Sequence, residues 1–551
     1  MGARRAGGVV FDHRRTLTMN APSKPSFLIF ITDQQRAVRD FPQSWVDANL
    51  TNLNTLTANG LTFVNAITNA SRCSPSRGVI TTSLYAPANG LVSVGATLPT
   101  NWTTLAKALS TALPDYTIGY IGKWHMTQSF VQPSTVLPNP PTLLAAENAV
   151  LADDYGTPGW DAPDAGTALG WQALALPTQP PTVADPYVST SNTLGGGPKS
   201  YNPNDARFVD DAVKFLGALG ADDAFVLVVS LVNPHDVWSN MYAQLMQQQY
   251  PEFPAAFDAL TGAGDFALPE SYSADNLSTK PTIQTTIRNN YTTTWAQNNG
   301  VNPVPTMLDA DDALTYLKFY AYLTYLADQQ LQQVYKALSA LPQFADTIVV
   351  RIADHGEMGM SHAGSMEKDC NVYAEVINIP YIFSNAGMFA QATTCEAQIG
   401  HVDLLPTLLG LVGQSPPAGT YQGTDCSAFV LDPTATPQPA CSIFTYDDGY
   451  PVHIRAVQAA AGAVTVNGQP TATQYKYAVY YQLNGSTVNT STLQFELYVP
   501  GADGEITNLA PSNPALCSAL HTLLTQRMAQ IDATRPSGAG LVTPDGWPSS
   551  P

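Results

Sequence analysis

Four short runs of the chain are almost unbroken in hydrophobic character: SFLIFIT (26–32), YTIGYIG (116–122), AFVLVVSLV (224–232) and DTIVVRIA (346–353). Their β-branched and aromatic content predicts strands buried on both faces, as in a parallel sheet covered by helices. Helical spacing lies between them. NWTTLAKALSTAL (101–113) opens on an Asn/Thr cap region, and NDARFVDDAVKFLGAL (204–219) places Phe208, Val209, Ala212, Val213 and Leu216 at helical spacing. The stretch DADDALTYLKFYAYLTYLADQQLQQVYKALSAL (309–341) predicts one long helix or a broken pair, with an acidic start that suits a helix N-terminus. HVDLLPTLLGLVG (401–413) predicts another helix with a proline near its first turn. Strands alternating with helices predict an α/β fold with a large, mostly parallel central sheet flanked by helices.

Beyond about residue 430 the pattern changes. YKYAVYYQL (475–483) and TLQFELYVP (492–500) alternate like antiparallel strands, and NPALCSALHTLLTQRMAQI (513–531) reads as a terminal helix. The chain therefore divides into an extension or disordered N-terminus (1–24), a main domain (25–430) and a smaller C-terminal α+β subdomain (431–551). Met19 is read as the natural start. Two stretches of the main domain read as long insertions: 127–203, rich in Pro, Thr, Ala and Gly, and 239–305, polar and irregular. Loops of this length shape a pocket, form an oligomer contact or are mobile, so homo-oligomer formation stays open. The tail LVTPDGWPSSP (541–551) reads either as a docking arm or as a loose end.

Composition narrows the function. The 551 residues carry a formal charge of -19 with only 12% charged side chains. Non-specific nucleic-acid binding needs clustered Lys and Arg and is not expected. An anionic substrate would have to be met by a metal or by a few placed cations. The six cysteines form no CxxC, which argues against a disulfide framework or a zinc knuckle, although Cys426 and Cys441 are spaced to close a local loop. The basic N-terminus has no apolar segment of signal-peptide length, and no run of about 18 apolar residues exists. The expectation is a cytoplasmic protein without a membrane partner, with the periplasm left open.

Polar residues follow each of the four strands: DQQR, KWHM, NPHDVW and DHGEMG. Open α/β sheets place their sites at these strand ends. Asp33 with Gln34 and Asp354 with His355 are oxygen-rich pairs able to hold one divalent cation together. Arg77, Lys123, His125, His235 and Lys368 would supply the positive charge that an oxyanion requires. Cys73, in SRCSPSRGVITTSLYA, is by itself equally readable as a buried thiol, half a disulfide, a metal ligand or a nucleophile.

CSPSRGVITT resembles the signature of the type I sulfatases, in the alkaline-phosphatase-like superfamily, and TIGYIGKWHM resembles their second signature. The likeness continues through DHGEMG, Lys368 with VYAEVINIPYI, HVDLLPTLL and the closing FELYVPGADGEITNLA, in family order over residues 26–509. The resemblance implies an alkaline-phosphatase-like catalytic domain. It implies that Cys73 is converted to formylglycine by a formylglycine-generating enzyme and that the hydrated aldehyde, ionised on the metal, attacks sulfur. The alcohol leaves, and the second hydroxyl then expels sulfate from a sulfated hemiacetal. It implies Asp33, Gln34, Asp354 and His355 as metal ligands, Arg77 and Lys123 as stabilisers of residue 73 and the sulfuryl oxygens, His125 as the base, and His235 and Lys368 at the leaving oxygen. The substrate would be a small aryl or alkyl sulfate monoester.

Two departures qualify this. Gln34 and His355 stand where many members have Asp and Asn, a pattern resembling choline sulfatases and phosphonate monoester hydrolases. Mostly hard oxygens make calcium the first expectation, and the imidazole makes manganese the alternative. Ser83 and Leu84 replace the family's usual Gly and Arg. The competing readings are a phosphonate monoesterase or phosphodiesterase with the same nucleophile, and a non-catalytic binding protein, which would be expected to have lost ligands that this chain keeps.

Overall fold

Phe27, Leu28, Ile29 and Phe30 are completely buried, and Ile29 is flanked by Val228 on one side and Val350 on the other. That triple is the middle of the central sheet in a computed structural model, which describes residues 21–126, 204–239, 246, 250–501 and 503–551. The insertion read at 127–203 lies outside the described residues, as does most of the N-terminal extension. Seven strands form the sheet: β1 (Ser26–Asp33), β2 (Gly60–Phe63), β3 (Tyr116–Gly122), β4 (Ala224–Pro234), β5 (Thr347–Ala353), β6 (Tyr381–Ser384) and β7 (Thr393–Cys395), in the spatial order β3-β4-β1-β5-β6-β2-β7. Strands β3, β4, β1 and β5 pair in parallel, β6 runs against both neighbours, and β2 and β7 resume the common direction. The sheet is thus mostly parallel, as the unbroken apolar runs predict: β1 and β4 are buried at every position.

The helices used below are α1 (Cys73–Thr82), α2 (Leu105–Ala112), α3 (Asn204–Ala218), α4 (Thr282–Asn298), α5 (Ala310–Ser339), α6 (Leu404–Leu411) and α7 (Pro514–Ala533). Helix α2 starts later than the Asn101 cap region, because Thr104 is the residue whose side chain accepts from the Lys107 amide, at 3.2 Å. Helix α5 is a single element rather than a broken pair. Asp309 caps it by accepting from the amides of Asp311 and Asp312 at 3.1 and 2.9 Å. Buried Asp328 on α5 binds Arg351 of β5 at 2.7 Å and accepts the Asn52 and Leu53 amides at 2.8 and 2.9 Å, so one carboxylate joins helix, sheet and the start of a neighbouring helix. The helix expected at 401–413 divides into a 3₁₀ turn, His401–Asp403, and α6.

Residues 239–305 are less irregular than their composition suggests. Helix α4 lies there, built from a sequence rich in Thr and Asn whose low helix propensity and weak apolar period hid it. Packing supplies what propensity does not: Ile283 and Ile287 join a cluster with Val372, Tyr373, Ile454 and Tyr480.

The C-terminal part holds a second, four-stranded antiparallel sheet, β8 (Cys441–Tyr446), β9 (His453–Ala459), β10 (Tyr475–Asn484) and β11 (Thr487–Tyr498), in that order, with α7 packed against it. The apolar cluster around Tyr480 ties this sheet to the loop after β5. The tail is neither a loose end nor a free arm. Trp547 stacks on His521 of α7 at 5.4 Å, its indole N–H donates to Thr525 at 2.9 Å, and Val542 is fully buried. Cys426 and Cys441 close no loop; both are free thiols.

Helix α1 ends at Ser83, which takes a left-handed conformation with φ 51° and is fully buried, its hydroxyl lacking a partner among the described residues. This conformation favours glycine, the residue that the resembling signature carries at this position. Ser83→Gly is expected to stabilise the protein by about 1 kcal/mol, read as a higher urea midpoint at unchanged slope.

Candidate active site

The site begins where four parallel strands stop. Asp33 ends β1 and Gln34 turns out of it with φ 66°; Lys123 and His125 follow β3, His235 follows β4, and Asp354 and His355 follow β5. Gly122 makes the second of these turns: with φ 109°, a Cβ would lie 1.9 Å from the Ser230 carbonyl oxygen, and only glycine lets the Lys123 amide donate to that oxygen at 2.9 Å. The turn carrying His235 is fastened from below. The Asp205 carboxylate accepts the Val232 and Asn233 amides at 2.7 and 2.9 Å.

Cys73 opens α1 and is 2% exposed. Its Sγ lies 3.2 Å from His355 Nε2 and 3.7 Å from Asp33 Oδ1. One turn on, Arg77 points into the same space. Its Nε donates to Asp354 Oδ2 at 3.0 Å and its Nη2 to Asp33 Oδ2 at 3.0 Å, while Nη1 donates to the Lys123 carbonyl at 2.7 Å and to Ser230 Oγ at 2.9 Å. Lys123 Nζ reaches Asp33 Oδ2 at 2.6 Å. Lys368 Nζ donates to Gln34 Oε1 at 2.5 Å and lies 3.0 Å from Glu367. His125 lies beside Cys73, and His235 is near enough to Asp33 to act on its charge. Every candidate residue read from the strand endings and from CSPSR is therefore in one buried cluster; His235, at 7%, is the most exposed of them.

The ligand atoms of Asp33, Cys73, Asp354 and His355 all lie within 4.8 Å of one another, the spacing of donors around one ion. Gln34 sits beside them, with its amide directed at Lys368, Glu357 and Glu367.

Burial and neighbouring charge shift the titration of Cys73, Asp33, Asp354, His355 and His125. Burial alone would raise the Cys73 thiol, but the nearby Lys368, Lys123 and His355 hold it well below its ordinary value, so the site favours an anion at residue 73. Burial and Cys73 push Asp33 up, but Lys123, His235 and Arg77 outweigh them and keep it well below the carboxylate range. Asp354 is pushed up to about 7 by burial and by Asp33. Burial lowers His355, yet Asp354 and Cys73 bring it up to about 9. His125 is lowered to about 4, mainly by burial, and is neutral at pH 7.

Sequence reasoning missed the support layer. Ser230 sits inside the apolar run of β4, where nothing sets it apart. Glu357 belongs to DHGEMG and Glu367 immediately precedes Lys368, but nothing in the sequence marks either for a role. Around the mouth, Arg72 bonds Asp369 and reaches Asp448 of the C-terminal part at 3.0 Å, Tyr291 donates to Asp369, and Trp238 meets Tyr291 edge-on at 4.6 Å.

His401 braces the centre from behind. Its Nε2 donates to the Ala353 carbonyl at 2.8 Å, its Nδ1 lies 3.2 Å from both Thr68 and Ser76 hydroxyls, and burial lowers it to about 3. The unfolded chain therefore binds a proton near pH 6.5 that the folded chain refuses, and this group's contribution to stability is lost as pH falls. Compared by denaturant titration, the stability advantage of the wild type over His401→Gln is expected to shrink steadily between pH 6.5 and pH 4.

The sulfatase family model matches residues 25–414. The chain is 26% identical over 399 residues to the uncharacterized sulfatase YidJ of Escherichia coli (strain K12), covering 72% of this chain and 69% of that one. It is 24% identical over 415 residues to an ulvan-active sulfatase of Formosa agariphila, covering 75% and 66%. The chain thus spans about two thirds of the length of these curated relatives. In fold it is similar to the phosphonate monoester hydrolase of Agrobacterium radiobacter, with a TM-score of 0.61 at 17% identity over 92% of this chain and 96% of that one.

Proposed function

Because this chain belongs to the sulfatase family, a family of sulfate ester hydrolases, we propose that it cleaves a small aryl or alkyl sulfate monoester, with residue 73 as nucleophile after conversion of Cys73 to formylglycine by a formylglycine-generating enzyme. The observation that carries this reading is the closure of Arg77, Lys123, His125, His235 and Lys368 around Cys73 in an otherwise strongly acidic chain. Arg77, Lys123 and Lys368 supply the local positive charge that an anionic substrate requires, and the two imidazoles stand beside them for proton transfer.

A divalent cation, calcium first and manganese as the alternative, would be held by Asp33, Gln34, Asp354 and His355. Two carboxylates, an amide oxygen and an imidazole suit such an ion, and when bound it supplies positive charge that favours an ionised oxygen on residue 73. Cation binding would displace the protons that Asp354 and His355 hold in its absence.

The remaining roles belong to the chain. Arg77 and Lys123 hold the hydrated residue 73 and offset charge on the sulfuryl oxygens. One hydroxyl of the hydrate, deprotonated, forms a bond to sulfur while the ester S–O bond breaks. His235 and Lys368 give the leaving oxygen its proton. His125, neutral at pH 7, takes the proton of the second hydroxyl; the C–O bond to sulfate then breaks and the aldehyde returns. A thiol or a serine hydroxyl has no second proton to lose, so its sulfated form would wait for water. The Nδ1 atoms of His125 and His235 are buried without a hydrogen-bond partner among the described residues, which leaves both open to a ligand.

Mass spectrometry of the peptide containing residue 73 tests the nucleophile. Formylglycine is the expected result, with activity scaling with the converted fraction; unmodified cysteine in a fully active sample would refute the mechanism. Cys73→Ala is expected to abolish turnover while moving the thermal midpoint by only about 2 °C.

The Gln34 and His355 pair favours one second reading, a phosphonate monoester hydrolase using the same nucleophile, since phosphonate monoesters and sulfate monoesters both present a singly charged tetrahedral centre. Relative kcat/KM for an aryl sulfate and an aryl phosphonate monoester decides between them, and the sulfate is expected to be preferred. Cytoplasmic placement, with the periplasm as alternative, is part of the same proposal; among the described residues no helix is long and apolar enough to cross a membrane.

A further inference from the structure

Gln34 stands between a cation and two buried carboxylates. Its Nε2 donates to Glu357 Oε2 at 2.5 Å and to Glu367 Oε1 at 2.9 Å, and its Oε1 accepts from Lys368 Nζ at 2.5 Å. Glu357 is completely buried and Glu367 is 3% exposed. Both are pinned from outside. Glu357 Oε1 accepts from the Tyr316 hydroxyl at 2.9 Å and from the amides of Glu367 and Gly359 at 3.0 and 3.2 Å. Glu367 Oε2 lies 3.0 Å from Lys368 Nζ.

These partners decide which end of the amide is which. An amide nitrogen has two protons and meets two carboxylates here; an amide oxygen has only lone pairs and meets an ammonium. The reversed amide would press its oxygen against two carboxylate oxygens and its N–H groups against Lys368. One lone pair of Oε1 remains beyond the bond from Lys368.

We propose that Glu357 and Glu367 are positioning residues for Gln34: by taking both of its N–H protons they turn its oxygen toward Lys368 and the site, and they are the reason position 34 carries an amide rather than a carboxylate. The proposal rests on the functional reading above only for what that oxygen faces; the charge argument stands without it. A carboxylate at 34 would be the third anion within 2.5–2.9 Å of two others, with Lys368 the one cation bonded to the group among the described residues. Buried like charges at that range are strongly destabilising unless one is removed. Glu357 is the partner to exchange. Its Oε2 bonds Gln34 while Oε1 carries the Tyr316 contact, so glutamine at 357 keeps the outer bond and offers N–H to a glutamate at 34.

A double-mutant cycle tests this on the full chain, with Gln34→Glu, Glu357→Gln and both together, and Glu367→Gln as a separate variant. Thermal midpoint, affinity for Ca2+ and Mn2+ by calorimetry, and turnover of an aryl sulfate are the readouts. Gln34→Glu is expected to lower the midpoint by about 5 °C and turnover by about tenfold or more. Glu357→Gln and Glu367→Gln should each weaken divalent-cation affinity by about tenfold, since they release a proton of the Gln34 amide. The double variant should regain at least half of the midpoint lost in Gln34→Glu. Losses that simply add, or a Gln34→Glu protein as stable as wild type, overturn the proposal. Should Gln34→Glu fail to yield soluble protein, Glu357→Gln in that background is expected to restore it, and failure to do so counts against the proposal equally. A wild type that binds neither cation refutes the metal reading alone, because the midpoint coupling still reports on the carboxylate pair.

Discussion

Asp33 and Asp354 end adjacent strands and face each other in an interior that excludes water, an arrangement that two like charges cannot sustain alone. Arg77 makes it tenable. Its planar fork gives one N–H to each carboxylate and a third edge to the Lys123 carbonyl and Ser230 hydroxyl, so a single side chain gathers the ends of β1, β3, β4 and β5. A lysine has no comparable geometry. Buried ion networks add little net stability over a hydrophobic core, but removing one member strands the others at a cost of about 3–5 kcal/mol. The position of α1, and with it residue 73, follows from this fork.

The network is also unequal by design of its surroundings. Lys123 and His235 lean on Asp33, whereas Asp354 receives less compensation and sits at about 7. The chain places Arg77, Lys123 and Lys368 where the sheet ends, and the far side of the same site holds the opposite sign in Glu357 and Glu367. Gln34, neutral and bifunctional, stands at the boundary between the two. The site is therefore a charge gradient across one amide rather than a uniformly positive pocket.

Much of this was legible in the residues. A parallel sheet is announced by unbroken apolar runs, and because its strands share a direction, the polar residues after runs such as SFLIFIT must gather at one edge; this is why Asp33, Lys123, His235 and Asp354 could be grouped without coordinates. Cys73 and Arg77 were legible for another reason, their spacing on one helical turn and their likeness to a family signature. What escaped was support that leaves no periodic trace. Ser230 looks like one more strand residue, Asp205 like one more helix start, and α4 is written in Thr and Asn that propensity assigns to loops. Such residues act through partners far away in the chain, and a linear reading carries no sign of the pairing.

The burial of Cys73 bears on the order of events during synthesis. In the finished fold it is buried at the start of α1, next to Arg72, whose guanidinium is latched by Asp369 and by Asp448 from the C-terminal part. Were Cys73 converted as proposed, an enzyme that grips CSPSR would have to reach it before those latches shut. Such a conversion would be a race against closure, run while the chain is still emerging, with the late arrival of Asp448 as its finishing line. A cell that made the chain faster than it could be oxidised would then accumulate folded molecules open to conversion only after being unlatched.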